Sequence, residues 1–426
     1  MKKSIDERKL LRCTYLLCIL FFINLSFLQW PLDYQAIVMA GVICFVIAYT
    51  YFIVRKFFPY GDKYILVFAS VLSIIGIVMI YRISPSTSIK QLVWFMLGET
   101  IFVITVVVLP VVRKYSKMRY VFMILTIIFM SMSFLFGTTK NGATNWVIID
   151  NINLGIIPFL IDIFKKIGLS EKSLILSISF QPSEFGKIVL VAYLASALKD
   201  YENWRDLIEP AIIVMISLGF MVLQRDLGSV LMFFGISLTM LYIATSKFKY
   251  VIICGALSII GAIASYNLFY HVRIRIMIWK DPWLYATDEG YQIVQSMISI
   301  ASGGLFGAGL GKGFPKFVPI NTTDFIFTII CEEMGILMGI AIIIIYFLLF
   351  YRCIRVAISS DDNFTALLAV GYSAMIATQV LVIVGGVTKL IPLTGITLPL
   401  VSYGGSSMVT VFFALGILQK ISEENN

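Results

Sequence analysis

"FIFTIICEEMGILMGIAIIIIYFLLFY", residues 325–351, decides what kind of chain this is. Its only formal charges are Glu332 and Glu333. The run exceeds the roughly twenty residues that a helix needs to cross a hydrocarbon core about 30 Å thick. Counted from Asp324 at 1.5 Å per residue, the two carboxylates lie roughly 12 Å into the run. At that depth they need partners or protons.

Comparable runs recur near 11–29, 33–54, 63–82, 90–112, 119–137, 182–199, 207–223, 227–245, 249–270, 365–388 and 398–419. With 59% hydrophobic and 13% charged residues, water would not hold such a surface. The runs are continuous rather than alternating, and open strand edges cannot face lipid, which argues against a sheet architecture. The expected fold is an all-α polytopic bundle of about twelve transmembrane helices. The basic opening "MKKSIDERKLLR" leads into the first run without a small-residue cleavage site, so it reads as an uncleaved helix.

A net charge of +9 raises nucleic acid as a partner, but the cations are scattered over short loops. That is a topology signal. With the N-terminus cytoplasmic, the inside loops carry Arg55, Lys56 and Lys63, then Arg113, Lys114, Lys117 and Arg119, then further basic residues. Both termini are then cytoplasmic, and two long segments, 138–181 and 271–324, fall outside. So do "QRDLG" (224–228) and "KLIPLTGITLPLVSYGGSS" (389–407). Irregular and charged sequence at membrane depth is tolerated where it lines a cavity or is buried in protein.

The six cysteines sit in or at the ends of apolar runs without a CxxC pair, which points away from disulfides and zinc. His271 is the only histidine, so a carboxylate is the expected base. "SGGLFGAGLGKG" (302–313) fits neither dinucleotide nor P-loop spacing. No internal repeat of the kind that marks many transporters is evident.

Each polar constellation has a plain reading beside a functional one. Pro182 suits a first helical turn, and Glu184 and Lys187 share a face as a structural or a functional ion pair. Arg225 and Asp226 form a polar turn at the rim. Pro282 biases Asp281 away from helix between Trp279 and Trp283, as an interfacial anchor or a reactive carboxylate. Arg273 and Arg275 are a candidate bidentate clamp for an anion. Thr323 or Asp324 can cap the 325–351 helix. Ser402, Gly404, Gly405, Ser406 and Ser407 allow close backbone approach, to another helix or to a ligand.

In order and spacing, "GATNWV", "FQPSEFGKIVLVAYLA", "QRDLGS", "WKDPW", "GYQIVQSMISIASGGLFGAGLGKG", "TDFIFTIICEEMG" and "PLTGITLPLVSYGGSS" resemble the SEDS family of RodA, FtsW and SpoVE. The resemblance covers roughly residues 63–420. It implies a ten-helix glycosyltransferase core over 63–426, with residues 1–62 as two additional N-terminal helices. It implies polymerisation of lipid II into peptidoglycan glycan during elongation, division or sporulation. Asp281 then matches the acidic residue of the large outer loop that is regarded as catalytic. Trp146, Glu184, Lys187, Asp226, Arg273, Arg275, Gln292, Thr323, Asp324, Ser402, Gly404, Gly405, Ser406 and Ser407 become candidate substrate contacts. The implied partners are lipid II, polyprenyl-linked glycan, membrane lipids and a class B penicillin-binding protein, with no nucleic acid. No residue is assigned to a metal; magnesium or manganese enters only as a candidate counter-charge for a leaving diphosphate.

Asn145 stands where the family usually has Arg, Arg225 where Pro is common, and Ile383 where Asn is common. An insert at 152–176 is expected to lie on the outer surface as an amphipathic helix. A lipid flippase and a non-catalytic scaffold are the rival readings.

Overall fold

A computed structural model describes residues 2–28, 30–140, 143–153 and 175–425. The helices are α1 (Lys2–Phe27), α2 (Tyr34–Phe57), α3 (Tyr64–Ile83), α4 (Pro85–Val108), α5 (Arg119–Phe136), α6 (Pro182–Leu198) and α7 (Ile208–Leu223). There follow α8 (Leu227–Thr245), α9 (Phe248–Leu268), α10 (Tyr270–Lys280), α11 (Tyr291–Gly303), α12 (Ile326–Ile358), α13 (Asn363–Val387) and α14 (Gly405–Glu424). Among the described residues eleven helices are long and apolar enough to cross a membrane. The seventeen-residue α6, buried along most of its length, makes the twelfth span. The short α10 and α11 lie between spans.

The axis of the bundle is α3, where every residue from Ile65 to Tyr81 except Phe68 is buried. A helix apolar all round belongs in such a core. Gly76 lets the chain at Val401 approach: a Cβ there would lie 2.3 Å from the Val401 carbonyl oxygen. At the opposite extreme, α9 has no buried residue. The hairpin of α1 and α2 packs on α3 and α4, and Leu28 reaches Gly311.

The 325–351 run is one span, but it is broken. Gly335 has φ 84° and ψ 167°, so α12 is two helices meeting at a kink. The 302–313 loop repairs the break with its own backbone. The amides of Ile336 and Leu337 donate to Gly304 and Leu305, and those of Ala308 and Gly309 donate to the Glu332 and Glu333 carbonyls. This is why a glycine-rich stretch sits here: its role is backbone hydrogen bonding at membrane depth. Glu333 pairs with Arg82 at 3.2 Å and accepts the Gly311 amide, while Glu332 accepts that of Phe314. Both buried acids therefore have partners.

Several expectations need correction. The last span begins at Gly405 rather than near 398, because the apolar stretch before it is irregular backbone. Neither Thr323 nor Asp324 caps α12. A small antiparallel sheet does occur, between α5 and α6: β1 (Thr138–Lys140), β2 (Ala143–Asn153) and β3 (Ile175–Phe180) in that order. It lies in a connection, where strand edges need not face lipid. The ends of the 152–176 insert belong to β2 and β3; the expected amphipathic helix lies outside the described residues.

Candidate active site

Polar side chains gather at one end of the bundle in linked clusters. In the first, Pro182 opens α6 and places Glu184 and Lys187 one turn apart on its buried face. Lys187 Nζ lies 2.7 Å from Glu184 Oε2 and donates to Gln379 Oε1 of α13 at 2.9 Å. Thr410 of α14 donates to Glu184, and Gln379 Nε2 donates to the Thr397 carbonyl. Gln379 Nε2 also reaches the Ser407 hydroxyl at 3.4 Å, and Ser406 accepts the Gln181 amide. Four segments thus meet on one lysine–carboxylate pair.

The second cluster centres on Asp226, which caps α8 through the Ser229 amide. Its carboxylate also accepts from Asn145 at 2.6 Å, Gln181 at 3.1 Å and the Ser229 hydroxyl at 2.8 Å. Asn145 comes from β2, so the sheet is pinned against the α7–α8 turn, and the next residue, Trp146, is held beside Thr138. Arg225, expected to share the rim with Asp226, is exposed while Asp226 is buried.

The third cluster lies where α10 meets the 388–404 segment. Arg275 donates to the carbonyls of Leu393 and Thr394, both at 3.2 Å. Burial lowers its pKa, against the nearby Asp226 and Asp324 carboxylates. Asp324 is pushed up to about 6 by burial, with Thr323 and Arg275 opposing. Ser402 donates to the Thr323 carbonyl and accepts the Leu398 amide, and Gln91 brackets Ser402 and Gly404. Gly405 packs against Trp94 closely enough to exclude a side chain.

Arg273 and Arg275 do not form a joint clamp. Two residues apart on α10, they diverge: Arg273 lies over the Tyr266 ring and donates to Asn267, away from the Arg275 contacts. Asp281 ends α10 in extended backbone (φ −140°, ψ 90°) and accepts the Trp283 amide. Its side chain is exposed, and among the described residues no hydrogen bond or ion pair joins it to the three clusters. Gln292, on α11, is half-buried. Trp279 Nε1 anchors this region to the Lys389 carbonyl at 3.1 Å.

Among the described residues no three His, Cys, Asp or Glu side chains converge as a metal cage. Beside the Glu184 cluster, an apolar groove of about 280 Å³ opens between α4, α5, α6 and α14, lined by Ile101, Phe129, Phe185, Ile188 and Phe413 among others. Sequence reasoning singled out neither Gln91 nor Gln379, whose amides join segments distant in the chain. It mentioned Asn145 only as a departure.

A family model for FtsW, RodA and SpoVE, described as cell cycle protein, matches residues 173–426. The peptidoglycan glycosyltransferase RodA of Mycobacterium tuberculosis is 34% identical over 399 residues, covering 87% of this chain and 79% of that protein. Stage V sporulation protein E of Bacillus subtilis is 37% identical over 252 residues, covering 57% and 69%. Among solved structures, a chain of a peptidoglycan synthase complex, described as coordinating polymerization and crosslinking, aligns with TM-score 0.69 at 23% identity, covering 86% of this chain and 98% of that one. The rod shape determining protein RodA of Thermus thermophilus aligns with TM-score 0.58 at 22% identity, covering 86% and 97%. Both structural likenesses are of fold.

Proposed function

Because the chain belongs to the FtsW, RodA and SpoVE family of cell cycle proteins, we propose that it is a peptidoglycan glycosyltransferase extending glycan strands from lipid II at the outer face of the cytoplasmic membrane. The observation that carries the reading is the gathering of the linked Glu184, Asp226 and Asp324 clusters at the end of the bundle that also presents the exposed Asp281. The short loops at the opposite end are basic, which supports cytoplasmic termini.

In the proposed reaction Asp281 takes the proton from a sugar hydroxyl of the acceptor as that oxygen attacks the donor's anomeric carbon. The bond from that carbon to the lipid diphosphate breaks, and attack from the face opposite the leaving group inverts the centre. An exposed carboxylate can meet a bulky acceptor, and general-base help is worth about 10²–10⁴ in rate. Charge builds on the leaving diphosphate, and stabilising it there is the other requirement. Lys187 is neutralised by the Glu184 carboxylate, whereas Arg275 and Arg273 are bonded to neutral backbone carbonyls, which favours the arginines for that task. Magnesium or manganese fits only as a companion of the substrate diphosphate, since no protein cage is present among the described residues, and no step here depends on it. The apolar groove beside Thr410 suits a polyprenyl tail. We assign Trp146, Gln292, Thr323 and the 402–407 segment to sugar and diphosphate contacts, and a class B penicillin-binding protein as the crosslinking partner.

The test is glycan polymerisation from lipid II by the purified chain, alone and with its transpeptidase, beside Asp281→Asn. Asparagine can still accept the Trp283 amide, so the variant is expected to fold and to lose about 10²-fold or more in rate. Equal rates would remove Asp281 from the mechanism. Lipid II crossing vesicles without polymer would replace the enzyme by a flippase.

A further inference from the structure

Outside these clusters, a cleft of about 420 Å³ lies between the end of α7, the α7–α8 turn and the α9–α10 junction. Its walls are Val222, Leu223, Leu268, Phe269 and Tyr270, and its charged lining is Arg225 with His271. No acidic side chain lines it. The Asp226 carboxylate beside it is occupied by Asn145, Gln181 and Ser229. Arg225 is exposed and makes no ion pair among the described residues. His271 Nε2 is enclosed yet has no hydrogen-bond partner among the described residues. Burial, then the repulsion of Arg275 and Arg225, lowers the histidine's pKa. The cleft therefore offers a guanidinium and an unpartnered imidazole nitrogen, with no acidic side chain in its lining among the described residues.

The backbone says that this arginine is held in place at a cost. The turn closes α7 with paired bonds, Asp226 amide to Met221 carbonyl and Arg225 amide to Val222 carbonyl. In that helix-ending motif the residue in Arg225's position is left-handed and usually glycine. Arg225 occupies it with φ 60°. A bulky residue there strains the backbone, and an outlier of this kind points to a use for its side chain. The cleft sits at the ends of three spans, α7, α8 and α9.

We propose that this cleft binds the phosphate or diphosphate head of an anionic membrane lipid. Arg225 and His271 Nε2 donate to the phosphate oxygens, and Val222, Leu223, Leu268 and Phe269 pack against the start of the tail. An arginine fork matches phosphate geometry, and the apolar wall separates a lipid from a soluble phosphate. The site stands apart from the transferase reaction and is tested without it.

The experiment is native mass spectrometry of the full chain in detergent, titrated with a long-chain polyprenyl diphosphate, phosphatidylglycerol, phosphatidylcholine or inorganic pyrophosphate. Arg225→Gly and His271→Gln are run beside the wild type. Arg225→Gly suits the left-handed turn, so its thermal stability should equal or exceed wild type, which separates lost binding from lost folding. The expected result is that each variant weakens the anionic lipid adduct by about tenfold or more, with phosphatidylcholine unaffected. A loss confined to polyprenyl diphosphate assigns the cleft to a diphosphate lipid; a loss shared with phosphatidylglycerol assigns it to anionic headgroups in general. Wild-type binding in both variants, or pyrophosphate displacing the lipid at equal concentration, overturns the proposal.

Discussion

Replacing Lys187 with methionine tests whether the buried pair on α6 is a strut between helices. Lys187 is 1% exposed and pairs with Glu184 at 2.7 Å. At that distance, with an effective dielectric near 20, the attraction is ~6 kcal/mol, most of which offsets the desolvation of two ions. Removing only the lysine strands the carboxylate, although Thr410 still donates to it, and leaves Gln379 Oε1 without its donor. The expected loss is about 4 kcal/mol. Glu184→Leu strands the lysine in turn and should cost about as much. In the double variant only Gln379 is left short, at roughly 2 kcal/mol. The singles would sum to roughly 8, so the cycle should return a coupling of roughly 6 kcal/mol, in line with the Coulomb figure. Unfolding by graded SDS in mixed micelles, followed by tryptophan fluorescence, measures all four corners. A single-variant loss under about 1 kcal/mol, or coupling near zero, would refute the strut. The pair would then be solvated in practice, and a role toward substrate would be favoured.

Gly335→Ala should cost at least about 3 kcal/mol or prevent folding, because φ is 84° and a Cβ would lie 2.2 Å from the Leu305 carbonyl oxygen. Gly255→Ala in α9, where nothing lies within 4 Å, should instead leave the melting temperature unchanged or raise it slightly; similar losses in both would mean that the break in α12 is not glycine-dependent. Asp324 gives a pH signature. Burial pushes it up to about 6 from 3.8, so the folded chain keeps a proton that the unfolded chain has released. Stability should then fall as pH rises from about 4 to about 6, by roughly 3 kcal/mol at most, and level off above. Asp324→Asn should lack that slope in melting curves across the window, and an unchanged slope would exclude Asp324 as its source.

How much of this was legible in the sequence depends on how local the cause was. Spans could be read because a hydrocarbon slab asks the same question of every twenty residues. The Glu184–Lys187 pair could be read because three-residue spacing fixes a helix face, and Pro182 fixed where the helix began. The start of the last span was misplaced for the opposite reason. Residues 398–404 are apolar enough to count as span, yet their backbone is held by partners far away: Tyr346 donates to Pro399, Gln91 reaches Ser402, and Thr322 accepts the Tyr403 amide.

The amides make the same point more sharply. Gln91 follows Lys90 at the polar start of its run and Gln379 follows Thr378 within an apolar one, and neither spacing suggests a role. Each has a carbonyl oxygen and two amide hydrogens, so one side chain can satisfy a donor and an acceptor on irregular backbone. Gln379 accepts from Lys187 while donating to Thr397; Gln91 donates to Ser402 while accepting from Gly404. A charged residue could serve only one of those needs at each place. The polar end of this bundle is thus tied together by two neutral glutamines, while the side chain of Asp281 stays exposed.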